Sequence, residues 1–489
     1  MRELLPDEKK RSLERKFQAL VLLVVLVNLV LKVIYVRVPE IAMDEPFTLW
    51  WAQHNLLEIW GMLRSENNPV LHFLFMHFWV KYFGLSPLAV RIPSIIFSSV
   101  TAGIILKMVT RNFNVRAGIM ATLIFTLSTM HMAFAHEARP YSLFVMLAAW
   151  NLMLGLELLK KEPTKRVYIW FFISSLLLVY THYLGWIPVL TQAFCFLLFK
   201  ETRRKWHPLL WGYTLLLIAY IPQFYFLFLR MGVASSGTWV RSPQWSELYG
   251  NINRFLNDRG VTIAILLTGI LVLITTIIRK KLKLAFSIIK KHQPFAMIAV
   301  WFLVPYLGMF AISFIWPVFL DRYLLFTSIG IYILVAALID LFSFEKWIRI
   351  VFIAVLMITM LRGFTLNPGN GREVKKISAL VREQSTADIP VVISPDYSYL
   401  EFVYHYDINM FRCYQQTKEL LMEEHIFPLR HLGDLKDSTI LKADEVIYLD
   451  CGSEFAFGEN TLKKELSVYF KKSKDMYHDS TYTITRFSK

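Results

Sequence analysis

Residues 17–36 read FQALVLLVVLVNLVLKVIYV, an apolar run of about 20 residues, which is the length that crosses a membrane as one helix. Basic residues crowd the first 16 positions, at Arg2, Lys9, Lys10, Arg11, Arg15 and Lys16. The positive-inside rule therefore predicts that residues 1–16 stay in the cytoplasm and that the run emerges on the outer face. The run is too long for a signal-peptide core and no small-residue cleavage site follows it, so we expect it to be retained as an anchor.

Apolar runs of this kind recur as far as Leu361, in a chain that is 55% hydrophobic and 15% aromatic and has a positive mean hydropathy. This composition predicts a polytopic α-helical membrane domain over residues 17–365, with about 11 spans. The predicted spans are 17–36, 88–109, 117–135, 140–159, 168–183, 186–199, 209–229, 261–278, 295–316, 323–341 and 347–361.

The net charge is +16, a value also found in nucleic-acid-binding proteins, but here Lys and Arg cluster in short loops between apolar runs. We therefore expect membrane lipid, and no nucleic acid, around the chain. The three cysteines have no metal-ligand spacing, and Cys413 and Cys451 would pair only in an oxidising compartment. No Asn-x-Ser/Thr sequon occurs, which favours the inner membrane of a bacterial envelope.

The first outer loop, residues 37–87, contains two weaker apolar segments at 47–63 and 69–84. The first is interrupted by Gln53, His54, Asn55 and Glu58, which makes it too polar to span and suited to the membrane interface. The positive-inside rule places the chain on the outer side both before and after these two segments. Either both segments cross the membrane or neither does. We predict that neither crosses.

The composition becomes that of a soluble domain after Asn367-Pro-Gly-Asn-Gly371. Residues 366–489 are expected to form a small α/β domain on the outer, periplasmic face. The pattern predicts strands at 389–394, 445–450 and 481–487 and helices at 373–383 and 460–472. A second outer loop, 230–260, is Gly/Ser-rich at 232–237 and then carries Trp239, Arg241 and Trp245; it indicates either a flap over the site or an ordinary connection.

Asp44 and Glu45, in Ile41-Ala-Met-Asp-Glu-Pro-Phe47, are two adjacent carboxylates at the outer membrane surface. An acidic pair before an apolar segment is also a normal helix start, with Pro46 at the first helical position. For an isolated pair the helix cap would be the favoured interpretation. Polar residues elsewhere on the outer face favour a catalytic role.

The other polar residues of the outer face lie in turns between predicted spans. Acidic side chains are rare in this part of the chain. Glu137 stands in His136-Glu-Ala-Arg-Pro-Tyr141, and Glu137 with Arg139 would alternatively form a pair that closes the turn. His182-Tyr183 and Asp321-Arg322 occur at the same level; taken alone, His182 would be an interfacial residue and Arg322 a partner of Asp321. Together these groups suit a reaction between an anionic lipid-linked donor and a hydroxyl or amine acceptor. Arginine binds phosphate oxygens bidentately, and a carboxylate takes a proton from the acceptor.

Several stretches of the sequence resemble membrane glycosyltransferases of the GT-C superfamily, most of all the protein O-mannosyltransferase and aminoarabinose transferase group, which includes bacterial members that act on lipopolysaccharide cores. These stretches are Asp44-Glu45 after the first span, Arg91-Ile-Pro-Ser94, the basic turn 111–118, His136-Glu-Ala-Arg-Pro-Tyr-Ser142, Tyr180-Thr-His-Tyr-Leu-Gly185 and Arg322-Tyr-Leu-Leu-Phe326. The resemblance is strong over residues 17–200, weaker to about 361, and absent from the tail.

The resemblance implies a GT-C fold, a polyprenyl-phosphate sugar donor, an outer-face site and inversion by single displacement on a glycan, lipid or protein acceptor. It implies that Asp44 is the base with Glu45 beside it, and that Glu137 is the acid of the second outer loop. Arg322 and Arg139 are the predicted phosphate ligands, with His136, His182 and Tyr183 nearby. Some members hold a divalent metal, but the ligand set is not evident in this sequence and none is assigned.

Two other classes remain as alternatives. A flippase or transporter of lipid-linked sugars would show inverted repeats and charges at the bilayer midplane, whereas no repeat is visible and the charges lie at span ends. A non-catalytic envelope assembly protein would have dispensable acids. Turnover of a labelled polyprenyl-phosphate sugar separates an enzyme from both.

Overall fold

The structure is a computed structural model that describes residues 7–203, 205–235, 240–263, 265–267, 270, 292–341, 346–386, 388–434 and 439–489. Within these residues the chain forms two compact units. The first contains Met1–Val36, Trp60–His72 and Arg91–Pro368, and the second contains Arg37–Ile59, Phe73–Val90 and Gly369–Lys489. The tail therefore shares its unit with two segments of the first outer loop.

The membrane half is helical because its apolar runs must satisfy every backbone polar group within the segment. Its described helices are α1 (Asp7–Val33), α2 (Glu45–Trp51), α3 (Leu56–Met62), α4 (Leu71–Phe83), α5 (Pro87–Asn112), α6 (Val115–Thr126), α7 (Thr129–Ala135), α8 (Tyr141–Leu158), α9 (Lys165–Thr181), α10 (Trp186–Leu198), α11 (Lys200–Arg203), α12 (Trp206–Ser235), α13 (Trp245–Phe255), α14 (Gln293–Ile312), α15 (Asp321–Leu324), α16 (Thr327–Leu341) and α17 (Lys346–Arg362).

In the described part of the chain, five of these helices are long and apolar enough to cross a membrane: α1, α5, α8, α12 and α14. The bent pair of α6 and α7 raises the number to six if it counts as one span. The prediction of an integral membrane protein is thus confirmed, whereas the total of about 11 spans stays a prediction. Most of the predicted span 261–278 lies outside the described residues, as do Gly237 and Trp239 of the predicted flap.

Helices α6 and α7 meet at an angle of 61° around Ser128. The side chain of Asn257 makes hydrogen bonds to backbone groups on both sides of this break. Its Nδ2 donates to Leu127 O at 2.5 Å, and its Oδ1 accepts from Thr129 N at 2.8 Å. The buried Tyr332 hydroxyl donates to Phe255 O at 2.7 Å and lies 3.1 Å from Ser128 Oγ. Side chains from distant parts of the sequence therefore replace the hydrogen bonds that a continuous helix would make.

The stretch from Pro46 to Leu88 contains only short helices before α5. The longest, α4, has 13 residues and so measures about 20 Å, whereas a bilayer core is about 30 Å thick. None of α2, α3 and α4 belongs to the described helices that are long enough to span. This length agrees with an interfacial position, which stays a prediction.

The second unit is built on a five-stranded mixed sheet of order β2-β1-β3-β5-β4, with β1 (Val391–Ser394), β2 (Ile426–Pro428), β3 (Glu445–Asp450), β4 (Lys472–His478) and β5 (Thr483–Ser488). Strand β1 pairs in parallel with β2 and β3, and β5 runs antiparallel to β3 and β4. Every residue of β1 is buried, as expected for a central strand. The described helices of the tail are α18 (Val374–Gln384), α19 (Tyr399–Tyr406), α20 (Ile408–Arg412), α21 (Thr417–Glu423), α22 (Thr439–Lys442), α23 (Ser453–Phe457) and α24 (Thr461–Tyr469).

The small C-terminal sheet expected from the sequence is present, and its predicted strands correspond to β1, β3 and β5. The predicted helix 460–472 ends at Tyr469, because Lys472–His478 forms strand β4 instead. Strand β2 has three residues, which is too short for an alternating pattern to be visible. The three cysteines form no disulfide.

Candidate active site

Asp44 immediately precedes helix α2, but its side chain accepts no capping hydrogen bond from the described first turn of that helix. Asp44 is half-buried, whereas Glu45 is only 3% exposed and sits with Pro46 in the first turn. The helix begins through its backbone, where Thr48 N donates to Asp44 O at 3.3 Å. The two carboxylates therefore differ in access, and that of Asp44 is the more accessible.

The residues before Asp44 are held by the tail of the chain within the same unit. Met43 N donates to Oε1 of Glu401 at 3.0 Å, and the Tyr482 hydroxyl donates to the same oxygen at 2.6 Å. Burial raises the pKa of the Glu401 carboxyl, while these two hydrogen bonds act in the opposite direction. Met43 itself has φ of 58°, in the left-handed region that side chains other than glycine rarely adopt.

Two preceding residues have similar contacts with the tail. Glu40 O accepts from Asn370 Nδ2 at 2.7 Å, and Glu40 Oε2 accepts from Lys375 N at 2.9 Å. Ile41 O lies 2.7 Å from Nε2 of His405. The sequence predicts the first loop and the tail as separate regions, and it contains no signal for these pairings because the partners are more than 300 positions apart.

In the first unit, the turn predicted at residues 136–141 joins α7 to α8. His136 Nε2 lies 2.7 Å from Lys32 O, and Ser94 Oγ donates to Glu137 O at 2.6 Å. Arg139 is 6% exposed. His136 thus ties the turn to the end of α1, and the same end is held by Arg91, whose Nη1 donates to Val36 O at 2.9 Å.

Arg139 and Arg322 both lie within electrostatic range of His182, so the structure brings these three predicted residues together. His182 follows α9, its Nδ1 accepts from Leu184 N at 3.1 Å, and its ring lies 5.3 Å from that of Tyr323. Its Nε2 is buried without a hydrogen-bond partner among the described residues. The charges of both arginines thus act on a histidine that is itself buried.

The Asp321 carboxylate makes two contacts in the described part of the chain. Its Oδ2 lies 3.7 Å from Arg254 Nη1, and its Oδ1 accepts from the backbone N of Arg322 at 2.7 Å. Asp321 is therefore the ion-pair partner of Arg254, and its pairing with the Arg322 side chain stays a prediction. The Arg322 side chain is half-buried beside Tyr323, with its guanidinium carbon 5.8 Å from the ring centroid.

Several polar residues of this region were not predicted as site residues. Buried His72 lies within electrostatic range of Arg139, and Glu66 and Arg230 lie within range of Tyr183. The Tyr183 hydroxyl is buried without a hydrogen-bond partner in the described chain. His72 and Glu66 belong to the weak segments of the first loop, where their polarity indicates an interfacial position and gives no indication of which residues they approach.

Arg230 fixes part of this loop, because its Nη1 and Nη2 donate to Ser65 O at 2.9 Å and Arg64 O at 2.8 Å. Lys32 is 1% exposed near the end of α1 and donates to Asn28 Oδ1 at 2.9 Å. Among the described residues, no group of three or more His, Cys, Asp or Glu side chains is arranged to hold a metal ion.

A family model for dolichyl-phosphate-mannose-protein mannosyltransferases matches residues 67–226. The crystal structure of ArnT from Cupriavidus metallidurans in the apo state aligns with a TM-score of 0.58 at 13% identity, over 96% of this chain and 98% of that one. The chain resembles the GT-C membrane glycosyltransferases. The resemblance predicted from the sequence is confirmed, and the likeness to ArnT in fold covers nearly the whole length of the chain.

The ArnT structure bound to undecaprenyl phosphate gives the same TM-score at 12% identity and over the same shares of both chains. The archaeal oligosaccharyltransferase AglB from Archaeoglobus fulgidus, in complex with an inhibitory peptide and a dolichol-phosphate, aligns at 11% identity with a TM-score of 0.49, over 96% of this chain and 74% of AglB. No curated protein sequence matches the chain.

The family-model match includes the turn at 136–141 together with His182 and Tyr183, and it excludes Asp44, Glu45 and Arg322. The two compact units divide the predicted residues differently, into two groups. Arg139, Arg322 and His182 form a basic cluster in the first unit. Asp44 and Glu45 belong to the second unit, at the start of α2.

Proposed function

We propose that the protein is an integral membrane glycosyltransferase that moves a sugar, a hexose or a pentose, from a polyprenyl-phosphate donor to a glycan, lipid or protein acceptor. The observation that carries this proposal is the fold shared with ArnT over almost the full length of both chains, including an ArnT form bound to undecaprenyl phosphate. The reaction takes place on the outer face of the inner membrane, with the N-terminus in the cytoplasm and the C-terminal domain in the periplasm.

The basic cluster binds the donor phosphate in this proposal. Arg322 and Arg139 supply fixed positive charge around His182, and a guanidinium forms two parallel hydrogen bonds with phosphate oxygens. The same contacts stabilise the negative charge that develops on the phosphate as the bond to the sugar breaks. Nε2 of His182 and the Tyr183 hydroxyl, both buried and unpartnered among the described atoms, supply further contacts to the bound donor.

Asp44 acts as the general base. An acceptor hydroxyl oxygen attacks the anomeric carbon, its proton passes to the Asp44 carboxylate, and the bond between that carbon and the phosphate oxygen breaks. One displacement inverts the sugar configuration and releases polyprenyl phosphate. The half-buried position of Asp44 and its lack of a capping role support this assignment.

The acceptor is held near Asp44 by the periplasmic domain. Tyr397 has its side chain 58% exposed and lies within electrostatic range of Asp44 in the same unit. An exposed aromatic ring suits a sugar, whose apolar face packs on the ring, and the Asp44 carboxylate accepts from a sugar hydroxyl. Glu45, which is buried at the helix start, orients the acceptor or points away from the site as a helix cap, and Glu137 contributes the second acid.

Purified variants assayed with a radiolabelled polyprenyl-phosphate sugar test the base. Asp44→Asn removes the proton acceptor and keeps the shape, so turnover is expected to fall by about 10²- to 10⁴-fold while donor binding is retained. Since Asn caps a helix as well as Asp, a purely structural Asp44 predicts a nearly silent change. Normal turnover in Asp44→Asn with collapse in Glu45→Gln would transfer the base to Glu45, and normal turnover in both would end the proposal for this stretch.

The identity of the acceptor is best approached with the intact cell envelope. Mass spectrometry of envelope glycans from cells with and without the protein would show which structure loses a sugar. A transporter would change the location of the lipid-linked sugar and would release no polyprenyl phosphate in detergent solution, which the same radiolabelled assay detects.

A further inference from the structure

We propose that Glu401 and Tyr482 of the C-terminal domain form a clamp on the loop 40–44, which directly precedes α2. The clamp positions this loop by holding the backbone of Met43. The inference rests on the proposed role of Asp44 as base. It makes the periplasmic domain a part of the catalytic machinery through two positioning residues that touch neither donor nor acceptor. Asp44 directly follows the clamped residue.

The clamp has one acceptor atom and two donors. Oε1 of Glu401 receives the Met43 backbone N–H at 3.0 Å and the Tyr482 hydroxyl at 2.6 Å. Tyr482 is 2% exposed, so its hydroxyl is held firmly and fixes the rotamer of Glu401. A carboxylate fixed in this way determines where the peptide nitrogen of Met43 lies.

The conformation of Met43 explains why a clamp is needed. Its φ of 58° lies in a region that a side chain disfavours, so the segment would relax to another conformation without an external partner. The Met43 side chain is 52% exposed and contributes little packing to hold the backbone. Relaxation of this φ angle rotates the following peptide and moves the Asp44 carboxylate.

The loop is anchored on its other side as well, which makes the role of Glu401 specific. Contacts from Asn370, Lys375 and His405 hold Glu40 and Ile41 without reaching Met43. Loss of the Glu401 side chain therefore leaves the loop attached to the domain and releases only Met43, the residue before Asp44. The expected effect is a displaced base, and the domain remains folded.

The test uses the full-length protein in detergent. Glu401→Ala removes the clamp, and because a displacement of about 1 Å costs up to about 100-fold in rate, kcat is expected to fall by about 10- to 100-fold while the donor KM stays within about twofold. Glu401→Gln keeps an oxygen at the same place, which accepts both hydrogen bonds, and should recover most of the turnover. The kcat of Tyr482→Phe should lie between the values of Glu401→Ala and Glu401→Gln.

Matched controls come from the same domain. Glu465 accepts the backbone N–H of Leu432 at 2.7 Å, and the Tyr448 hydroxyl donates to Asn460 Oδ1 at 2.8 Å. Glu465→Ala and Tyr448→Phe remove equivalent hydrogen bonds away from residue 43 and should leave kcat near the wild-type value. If they lower kcat as much as Glu401→Ala, the effect is general destabilisation of the domain and the clamp is refuted.

A readout independent of catalysis is hydrogen exchange of the peptide that contains residues 41–48. Exchange should be faster in Glu401→Ala than in the wild type or in Glu465→Ala. Unchanged exchange and kcat in Glu401→Ala would overturn the clamp, as would equal losses in Glu401→Gln and Glu401→Ala. A silent Asp44→Asn variant measured in parallel, with faster exchange still present in Glu401→Ala, would instead remove the proposed base and leave the clamp as a structural contact.

Discussion

Replacement of Arg322 by Ala tests the donor half of the proposed mechanism. Arg322 is half-buried beside His182, in electrostatic range of the same histidine as Arg139. The substitution removes one of two guanidinium groups from the proposed phosphate site and leaves the more deeply buried one, Arg139, which is 6% exposed. Donor binding should therefore weaken and remain measurable.

The magnitude follows from the number of contacts that are lost. A hydrogen bond to a charged group contributes about 1.5–3 kcal/mol. Since about 1.4 kcal/mol corresponds to a factor of ten, kcat/KM for the donor should fall by about 10- to 150-fold. A phosphate contact serves both the bound donor and the transition state, so we expect a higher donor KM together with a lower kcat. Arg322→Lys should recover only part, because an ammonium lacks the planar fork.

The assay measures initial rates at varied concentrations of a radiolabelled polyprenyl-phosphate sugar with a fixed acceptor. Arg254→Ala is the matched control, because Arg254 is the ion-pair partner of Asp321, next to Arg322. Its side chain is 60% exposed, and an exposed pair contributes about 0–1 kcal/mol, so its rate should change by less than about fivefold. An unchanged donor KM in Arg322→Ala, or an equal loss in Arg254→Ala, would move the phosphate site away from Arg322.

Two further predictions concern the membrane topology and the stability of the helical unit. In a background with Cys413→Ser and Cys451→Ser, Ser65→Cys and Ser86→Cys should both be labelled from outside by an impermeant thiol reagent, because we predict that the stretch between them does not cross; labelling of only one would reject that topology. Asn151→Ala should lower stability by about 1–3 kcal/mol, since its buried Nδ2 donates to Ser174 Oγ at 2.9 Å and Ser175 Oγ at 2.8 Å. Thermal unfolding in detergent would show this loss, and an unchanged midpoint would contradict it.

The sequence alone is informative about elements that depend on local pattern. The apolar run at 17–36 becomes α1, and the strands around 391–394 and 445–450 follow from short buried β-branched runs. Strand β4 was missed because Lys472-Ser-Lys-Asp-Met-Tyr-His478 is mostly charged or polar and exposed, as an edge strand often is. A hydrophobic pattern cannot identify a strand that buries so little.

In the candidate site, too, the sequence predicts some features and misses others. Arg139, Arg322 and His182 each lie beside the end of a helix, and the sequence predicts such positions through its alternating spans. The Glu401 contact with Met43 could not be predicted, because it joins residues 358 positions apart and neither residue stands in a recognisable motif. The exposure difference between Asp44 and Glu45, which are adjacent and both acidic, is likewise visible only in the structure.

The bend between α6 and α7 has a consequence for the order in which the protein is made. Ribosomes deliver Leu127 and Thr129 to the membrane long before Asn257, whose amide satisfies both of them, and before Tyr332, which caps the same corner. Until those residues emerge, the exposed polar groups at the corner need water or another partner, because lipid offers none. The nascent chain must therefore insert residues 115–135 in a provisional form, as a straight span or beside the translocation machinery, and acquire its bend only after more than a hundred further residues have been synthesised.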